Sequence, residues 1–217
     1  MLRRVQPEIL DGLPPDHPDA KHNRRDLRFF NAIMGNFRWF AHTLRNHLRP
    51  DDHLLELGAG EGDLGRYLQR CLKEAPRFYA GLDLWPRPAV WPATWDWHRA
   101  DLTTFPDYAA SNVILGNLIL HQFENPVLAS LGQRWRHARL LVFCEPARRT
   151  LHLRQLPLAR LAGINYVSRH DARVSIEGGF LDGELPRLLD LDERIWQISV
   201  SQTFWGAYRL IAIRKDK

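Results

Sequence analysis

A glycine-rich turn is the segment of this sequence whose composition most directly predicts a ligand site. Residues 54–63 have the sequence LLELGAGEGD, in which an apolar run leads into three alternating glycines. Glycine permits positive φ angles and a close approach of the backbone to a ligand. Ligands of doubly wound sheets bind at the carboxyl ends of the strands. The dinucleotide pattern G-x-G-x-x-G would need glycine where this chain has Asp63, so a dinucleotide is disfavoured.

Two acidic residues are expected at the ends of the next two strands. Asp83 lies in the segment GLDL and Asp101 in the segment ADL. A carboxylate at the first position can accept hydrogen bonds from both hydroxyls of an adenosine ribose, and one at the second position can reach the adenine amine. A phosphate site would instead favour Lys, Arg or free N–H groups at a helix N-terminus. The pattern therefore predicts an adenosine-containing ligand without phosphates.

Strands and helices are expected to alternate from position 50 onward, and they must bring these residues together. The predicted strands span 53–57, 78–82, 95–99, 112–115, 139–144, 195–200 and 203–213. The predicted helices span 63–73, 125–136, 149–161 and 182–190. Such alternation gives a parallel sheet with helices on both faces, and the last two strands, joined by a short turn, form an antiparallel hairpin. The expected fold class is α/β, with a Rossmann-like, doubly wound, mostly parallel seven-stranded sheet.

The first 49 residues are predicted to form an irregular arm and a helical cap. Residues 1–22 are rich in Pro and Asp and have no periodicity. Between Asn23 and Arg49, apolar residues recur every three or four positions, which predicts one helix, or two helices broken near Gly35. We therefore expect an arm and cap at 1–49 and a ligand-binding domain at 50–217, together forming one structural unit.

Composition and charge exclude several classes of protein. Apolar residues make up 45% of the 217 residues, which argues against disorder, and no apolar run is long enough for membrane insertion. The 30 basic residues are scattered among 25 acidic ones, so a solvated basic surface is favoured and nucleic-acid binding is not expected. The N-terminus lacks an apolar signal segment, which favours a cytoplasmic location. Cys71 and Cys144 form neither a disulfide framework nor a metal pattern.

These motifs together resemble those of class I S-adenosylmethionine (SAM)-dependent methyltransferases. ELGAGEGDLGRYL, GLDL and ADL resemble motifs I, II and III of that family, VILGNLILHQF resembles motif IV, and LLVFCEP resembles the fifth strand. The resemblance covers about residues 50–160 and extends to the closing hairpin. The segment 168–180 is similar to a stretch of small bacterial methyltransferases of the quinone-methylase, or type 11, group. The resemblance implies that SAM is the cofactor and that the protein is a methyltransferase; the residues themselves predict no metal site.

The resemblance also assigns roles to individual residues. The glycine turn should line the methionine and ribose, and its Glu56 should bond loop backbone or the amino group through water. Residues after the second and third strands should hold the ribose and adenine, and those after the fourth should touch the methionine moiety. The expected cofactor contacts are Glu56, Gly58, Ala59, Gly60, Gly62, Asp83, Leu84, Asp101, Leu102, Asn117 and Leu118.

His121 directly follows the fourth predicted strand, close to where the transferable methyl group would lie. Sulfonium methyl transfer is an in-line displacement, so the protein mainly positions the acceptor and removes its proton. Histidine is the residue that most often acts as a general base. We expect His121 to be the catalytic base or to orient the acceptor, and to titrate near its ordinary value of about 6.5. The alternative is a histidine satisfied by packing and one hydrogen bond.

The acceptor is less well specified than the cofactor. The N/D-P-P-Y/F tetrad of nucleobase methyltransferases is absent after the fourth strand, so a small-molecule acceptor is favoured, with a hydroxyl or activated carbon on a phenolic, quinone-like or polyketide-derived compound. An aromatic pocket is expected from Phe29, Phe30, Phe37, Trp39, Phe40, Trp205 and Tyr208. Acidic or phenolate groups are expected to meet Arg24, Arg148, Arg149 or His152. The alternatives are methylation of RNA or protein, and a non-catalytic SAM-binding protein; the oligomeric state stays open.

Overall fold

Seven strands form one sheet in the computed structural model, which describes residues 1–14, 17–72, 76–161 and 163–215, with the side chains of 159–161 excepted. The strands are β1 (His53–Leu57), β2 (Phe78–Asp83), β3 (Asp96–Arg99), β4 (Val113–Asn117), β5 (Leu140–Pro146), β6 (Trp196–Gln202) and β7 (Ala207–Arg214). Their order is β3-β2-β1-β4-β5-β7-β6, with β1–β5 parallel and β7 antiparallel to both of its neighbours. The predicted fold class is confirmed, including the closing hairpin.

Two apolar layers cover the two faces of the sheet, because successive side chains of a strand point to opposite faces. Leu55 and Phe143 belong to one layer. Leu54 and Val142, their neighbours in sequence, belong to the other, together with Leu44 of the N-terminal cap. Each such buried side chain stabilises the fold by about 1.5–3 kcal/mol. The sheet is therefore a rigid support for the loops at its carboxyl edge.

The helices are α1 (Pro18–Met34), α2 (Asn36–His47), α3 (Asp63–Cys71), α4 (Asn125–Arg134), α5 (Thr150–Leu161), α6 (Tyr166–Gly178) and α7 (Glu184–Leu188). The cap is two helices, separated at Gly35 with φ 67°. The predicted start at Asn23 is wrong, because Pro18 occupies the first turn and His17 Nδ1 accepts a hydrogen bond from the Asp19 N–H at 3.2 Å. The end of the arm is thus helical.

Other differences lie at element ends and in the second half of the chain. β4 and β5 each run two residues beyond their predicted ends, to Asn117 and Pro146. Helix α6 was not predicted; its N-cap is Asn165, whose Oδ1 accepts the Ser168 N–H at 2.7 Å. The predicted end of α3 at Lys73 lies outside the described residues. None of the described helices is both long and apolar enough to cross a membrane.

Candidate active site

A cavity of 1320 Å³ opens at the carboxyl edge of the parallel strands. Residues that follow β1, β2, β3 and β4 line it, together with parts of α1, α5 and α6. It brings together His121 and ten of the eleven expected cofactor contacts. Gly62 is the exception: a Cβ added there would lie 2.7 Å from the Trp91 ring, so this glycine packs against Trp91, and its cofactor contact stays a prediction.

The shape of the glycine turn depends on the left-handed conformation of its glycines and on a backbone hydrogen bond. Gly58 and Gly60 have φ values of 60° and 54°, in the left-handed region that favours glycine. The Gly58 N–H donates to the Leu82 carbonyl at 2.8 Å, which ties the turn to β2. A Cβ added at Gly58 would lie 2.8 Å from Ile119, whereas nothing lies within 4 Å of one added at Gly60. Gly60 therefore presents bare backbone to the cavity.

Asp83 fastens the glycine turn to the end of β2. Its Oδ2 accepts the Gly60 N–H at 2.8 Å and its Oδ1 accepts the Trp85 N–H at 2.9 Å. Burial raises the pKa of this carboxyl, and it outweighs the hydrogen bonds, which lower the pKa. Asp101 is fixed in a similar way, because its Oδ1 accepts the backbone N–H and the hydroxyl of Thr103 at 2.7 and 2.8 Å. Both carboxylates are thus held in defined orientations at the cavity wall.

Glu56 is buried beneath the turn and lines the cavity. The Tyr79 hydroxyl donates a hydrogen bond to its Oε2 at 2.6 Å. Burial, assisted by the nearby charges of Asp83 and Asp63, raises the pKa of Glu56 to about 8. The carboxyl is therefore mostly neutral at pH 7, and it can donate a hydrogen bond as well as accept one.

Three asparagines meet where β4 ends. The Asn117 amide donates to Asn31 Oδ1 at 3.0 Å, and the Asn36 amide donates to both Asn31 Oδ1 and Asn117 Oδ1, at 2.9 and 3.2 Å. This network joins the sheet to the α1–α2 junction. Leu118, the next residue, has φ 58°, a conformation that costs a side-chain-bearing residue about 1–2 kcal/mol. Strain of this kind concentrates at functional sites.

His121 lines the cavity with both of its ring nitrogens beside carboxylates. Nδ1 is 2.8 Å from Glu145 Oε2, and Nε2 is 3.3 Å from Glu8 Oε1. Burial alone would lower the pKa of His121, but hydrogen bonds and charges from the two glutamates outweigh it and raise the pKa to about 9. The expected titration near 6.5 is therefore corrected, and the ring is protonated at neutral pH. Its catalytic role stays a prediction.

No protein-family model matches this sequence, and the search of curated proteins gives no match. Solved structures do resemble it. The plantazolicin methyltransferase BpumL in complex with SAH has a TM-score of 0.71 at 11% identity, covering 95% of this chain and 93% of that one. The magnesium protoporphyrin IX methyltransferase ChlM from Synechocystis PCC 6803, with bound SAH, has a TM-score of 0.52 at 14% identity, covering 95% and 91%. The chain has the Rossmann-like methyltransferase fold.

The pyocyanin biosynthetic protein PhzM shares this methyltransferase fold over part of its length. Its TM-score is 0.57 at 16% identity, and the match covers 92% of this chain but 60% of PhzM. At identities this low the likeness concerns the fold, so the chemistry must be argued from the residues of the cavity.

The N-terminal arm and α6 add a part of the cavity wall that sequence reasoning missed. Asp171 accepts the backbone N–H groups of Ile9 and Leu10 at 2.8 and 3.1 Å. Glu8 Oε1 accepts the Ser175 hydroxyl at 2.5 Å. All of these residues except Ile9 line the cavity. The arm has no periodicity that could have signalled this role. Its partners lie more than 160 positions away, so the local sequence does not show them.

The other residues proposed for the acceptor divide into two groups. Arg24, His152 and four of the seven aromatic residues (Phe29, Phe30, Phe37 and Trp205) line the cavity. The remaining candidates do not: Trp39, Phe40, Tyr208, Arg148 and Arg149. Phe40 and Tyr208 are fully buried in the core, and the buried Arg148 is held by Glu184 at 2.6 Å. Within the described residues, no cluster of His, Cys, Asp or Glu is arranged to hold a metal ion.

Proposed function

We propose that this protein is a SAM-dependent methyltransferase that acts on a small molecule. The observation that carries the proposal is the convergence of the glycine turn, Asp83, Asp101 and Asn117 on one cavity at the carboxyl edge of the sheet. The solved structures of BpumL and ChlM, which have this fold, contain SAH. This supports SAM as the cofactor of the present chain.

Residues that line the cavity supply the groups that a SAM molecule would need. Asp83 and Asp101 supply carboxylates for ribose hydroxyls and an adenine amine, and Leu84, which is 65% exposed, supplies apolar surface at the rim. The volume of 1320 Å³ exceeds the roughly 300–1,000 Å³ of an ordinary ligand pocket. The cavity therefore has room for a cofactor and an acceptor together.

The protein's own residues would bind and orient the reactants. When bound, SAM would supply a methyl carbon carried on a sulfonium. Asn117 and Leu118 would meet the methionine moiety, and Glu56 would bond the turn or the amino group. His121 would orient the acceptor or, after losing a proton, take one from it. Such chemistry depends mainly on proximity, which the rigid strand ends favour.

The acceptor half of the cavity favours a small organic molecule over a nucleic acid. Phe30 and Trp205 supply aromatic surface. Glu8, Asp11 and Asp171 also line the cavity, and their carboxylates would repel a phosphate backbone. We propose a phenolic, quinone-like or polyketide-derived acceptor, methylated on a hydroxyl or activated carbon. Methylation of RNA or protein, and binding without catalysis, remain the alternatives.

Isothermal calorimetry tests the proposed cofactor. The purified protein should bind SAM and SAH but not NAD, because Asp63 stands where the dinucleotide pattern needs glycine. Binding of NAD without binding of SAM would contradict the proposal. Release of SAH from SAM in the presence of a panel of phenols would then separate an enzyme from a non-catalytic binding protein.

We also propose that residues 1–49 act as an arm and cap over a methyltransferase domain at 50–217. The asparagine network supports this division, since it is the place where α1 and α2 are hydrogen-bonded to the end of β4. Location in the cytoplasm stays a prediction.

A further inference from the structure

Two histidines line the cavity, and they differ in the partners of their ring nitrogens. His121 has a carboxylate at each ring nitrogen. His152, on α5, is 5% exposed, and its Nδ1 is 3.0 Å from Gln155 Oε1. Among the described residues, its buried Nε2 has no hydrogen-bond partner. His152 is therefore the one of the two with a ring nitrogen left to bind something else.

The hydrogen bond to Gln155 decides which nitrogen of His152 carries the proton. An amide oxygen can only accept, so Nδ1 must be the donor. In a neutral imidazole the other nitrogen then has an unshared lone pair rather than a hydrogen. An unpaired buried acceptor is unfavourable and calls for an explanation in a native structure. A ligand that donates an O–H or N–H group would satisfy it.

The surroundings of His152 place it on the wall of the same cavity. His152, Gln155 and Leu156 stand at i, i+3 and i+4 on α5, so they share one helix face, and all three line the cavity. A Cβ added at Gly206 would lie 3.3 Å from the His152 ring, so the Gly206 backbone packs closely against that ring. Trp205, the adjacent residue, also lines the cavity and is 52% exposed, so it offers aromatic surface on the same wall.

We propose that His152 Nε2 accepts a hydrogen bond from a hydroxyl or N–H group of the methyl acceptor. This rests on the proposed function, since it assigns the acceptor to this part of the cavity. His152 thereby becomes a specificity-determining residue: it selects aromatic acceptors that carry a donor group and disfavours otherwise similar molecules that have none. His121 is not free to do this, because Glu145 and Glu8 already occupy its two ring nitrogens.

Phenol and anisole are matched probes, since both carry an aromatic ring but only phenol has an O–H donor. Nitrogen NMR of the histidine-labelled full chain should show a non-protonated Nε2 at His152 that moves with phenol and not with anisole. Phenol should bind roughly two- to tenfold more tightly than anisole, the ordinary net effect of one hydrogen bond. His152→Leu should remove that preference, His152→Gln should keep part of it, and His42→Leu, at an exposed histidine outside the cavity, should leave it unchanged.

Three results would overturn the assignment: a protonated Nε2 in the free protein, equal binding of both probes, or His152 resonances that do not move at the highest soluble phenol concentration. The wild-type spectra give this answer even where a variant fails to fold. SAH binding is measured by calorimetry on the same sample. If the protein does not bind SAH but His152 still responds to phenol, the methyltransferase proposal is refuted while the hydrogen bond at His152 is not.

Discussion

At the scale of single residues, Asp83 has a structural role in addition to the one proposed for ligand binding. Its two oxygens accept the backbone N–H groups of Gly60 and Trp85, which fixes the carboxylate before any ligand arrives. A carboxylate held in this way meets ribose hydroxyls without losing further conformational freedom. The same bonds mean that a substitution here also loosens the glycine turn.

Asp83→Ala should weaken SAH binding by about 1–3 kcal/mol, because two ribose hydroxyls lose a charged acceptor. Isothermal calorimetry measures the change, with Asp51→Ala, at an exposed carboxylate outside the cavity, as the matched control. If the two variants bind SAH equally well, the second strand does not contribute to the cofactor site as proposed.

His121 should titrate near pH 9, since Glu145 and Glu8 raise its pKa against the effect of burial. Histidine NMR of the native protein measures this directly. Glu8→Gln removes one carboxylate partner and should shift the midpoint toward the ordinary value of about 6.5. A midpoint near 6.5 in the wild-type protein would mean that the two glutamates do not hold the ring as described.

If His121 acts as the base, His121→Ala should reduce turnover on the true acceptor by about 10²–10⁴ while leaving SAH affinity nearly intact. The group lost from the pH–rate profile should be one that titrates near 9. A variant that keeps more than about a third of the wild-type turnover would assign proton removal to another residue or to none, and catalysis would then rest on proximity.

At the scale of elements, the turn between β1 and α3 uses its glycines for different purposes. Gly60 has φ 54° and open space around it, whereas Gly62 has φ 72° and contacts Trp91. Alanine at Gly60 should therefore cost only the left-handed strain of about 1–2 kcal/mol. Alanine at Gly62 should add a steric clash with Trp91 of about 1–3 kcal/mol.

Urea unfolding of Gly60→Ala and Gly62→Ala compares these two effects, and each variant is the control for the other. Gly62→Ala should be the less stable of the pair. Relative to its loss of stability, Gly60→Ala should lose more SAH affinity than Gly62→Ala, because Gly60 lines the cavity and Gly62 does not. Equal losses of stability would mean that the packing against Trp91 is not needed for the turn.

At the scale of the whole molecule, two buried groups make stability depend on pH in the same direction. The pKa of Glu56 is raised to about 8 and that of His121 to about 9. In both cases the native state binds more protons than the unfolded chain, whose groups titrate near 4.5 and 6.5. Stability contributed by a raised pKa is lost as pH rises through the folded value.

The free energy of unfolding should therefore fall as pH rises from about 6.5 to about 9. Urea titrations across this range measure the change. Glu56→Gln replaces the neutral carboxyl with a neutral amide of similar size. Its free energy of unfolding should therefore fall less steeply with pH than that of the wild type up to pH 8. Stability that rises over this range would show that one or both groups are charged differently in the native state.

The fold and the part of the cavity formed by the strand ends could be predicted because their determinants are local. A short, mostly apolar run such as the fully buried strand Leu140–Pro146, glycines at a turn and an acid at a strand end are all set within a few residues. Parallel strands then bring their carboxyl ends to one edge, so Gly60, Asp83 and Asp101 meet without any further information. The packing of Gly62 against Trp91 could not be predicted, because spacing alone does not show which side of a turn faces a ring.

The part of the cavity formed by the N-terminal arm and α6 was decided by tertiary structure, because its contacts join positions that are far apart in sequence. Glu8 reaches His121 across 113 positions, and Asp171 holds the arm across more than 160. The partners of a histidine are fixed only after folding: Glu145 and Glu8 lie at the ring nitrogens of His121 and raise its pKa, whereas Gln155 lies beside Nδ1 of His152. The sequence determines which ionisable groups exist; the folded structure determines their partners, and those partners set the charge of each group.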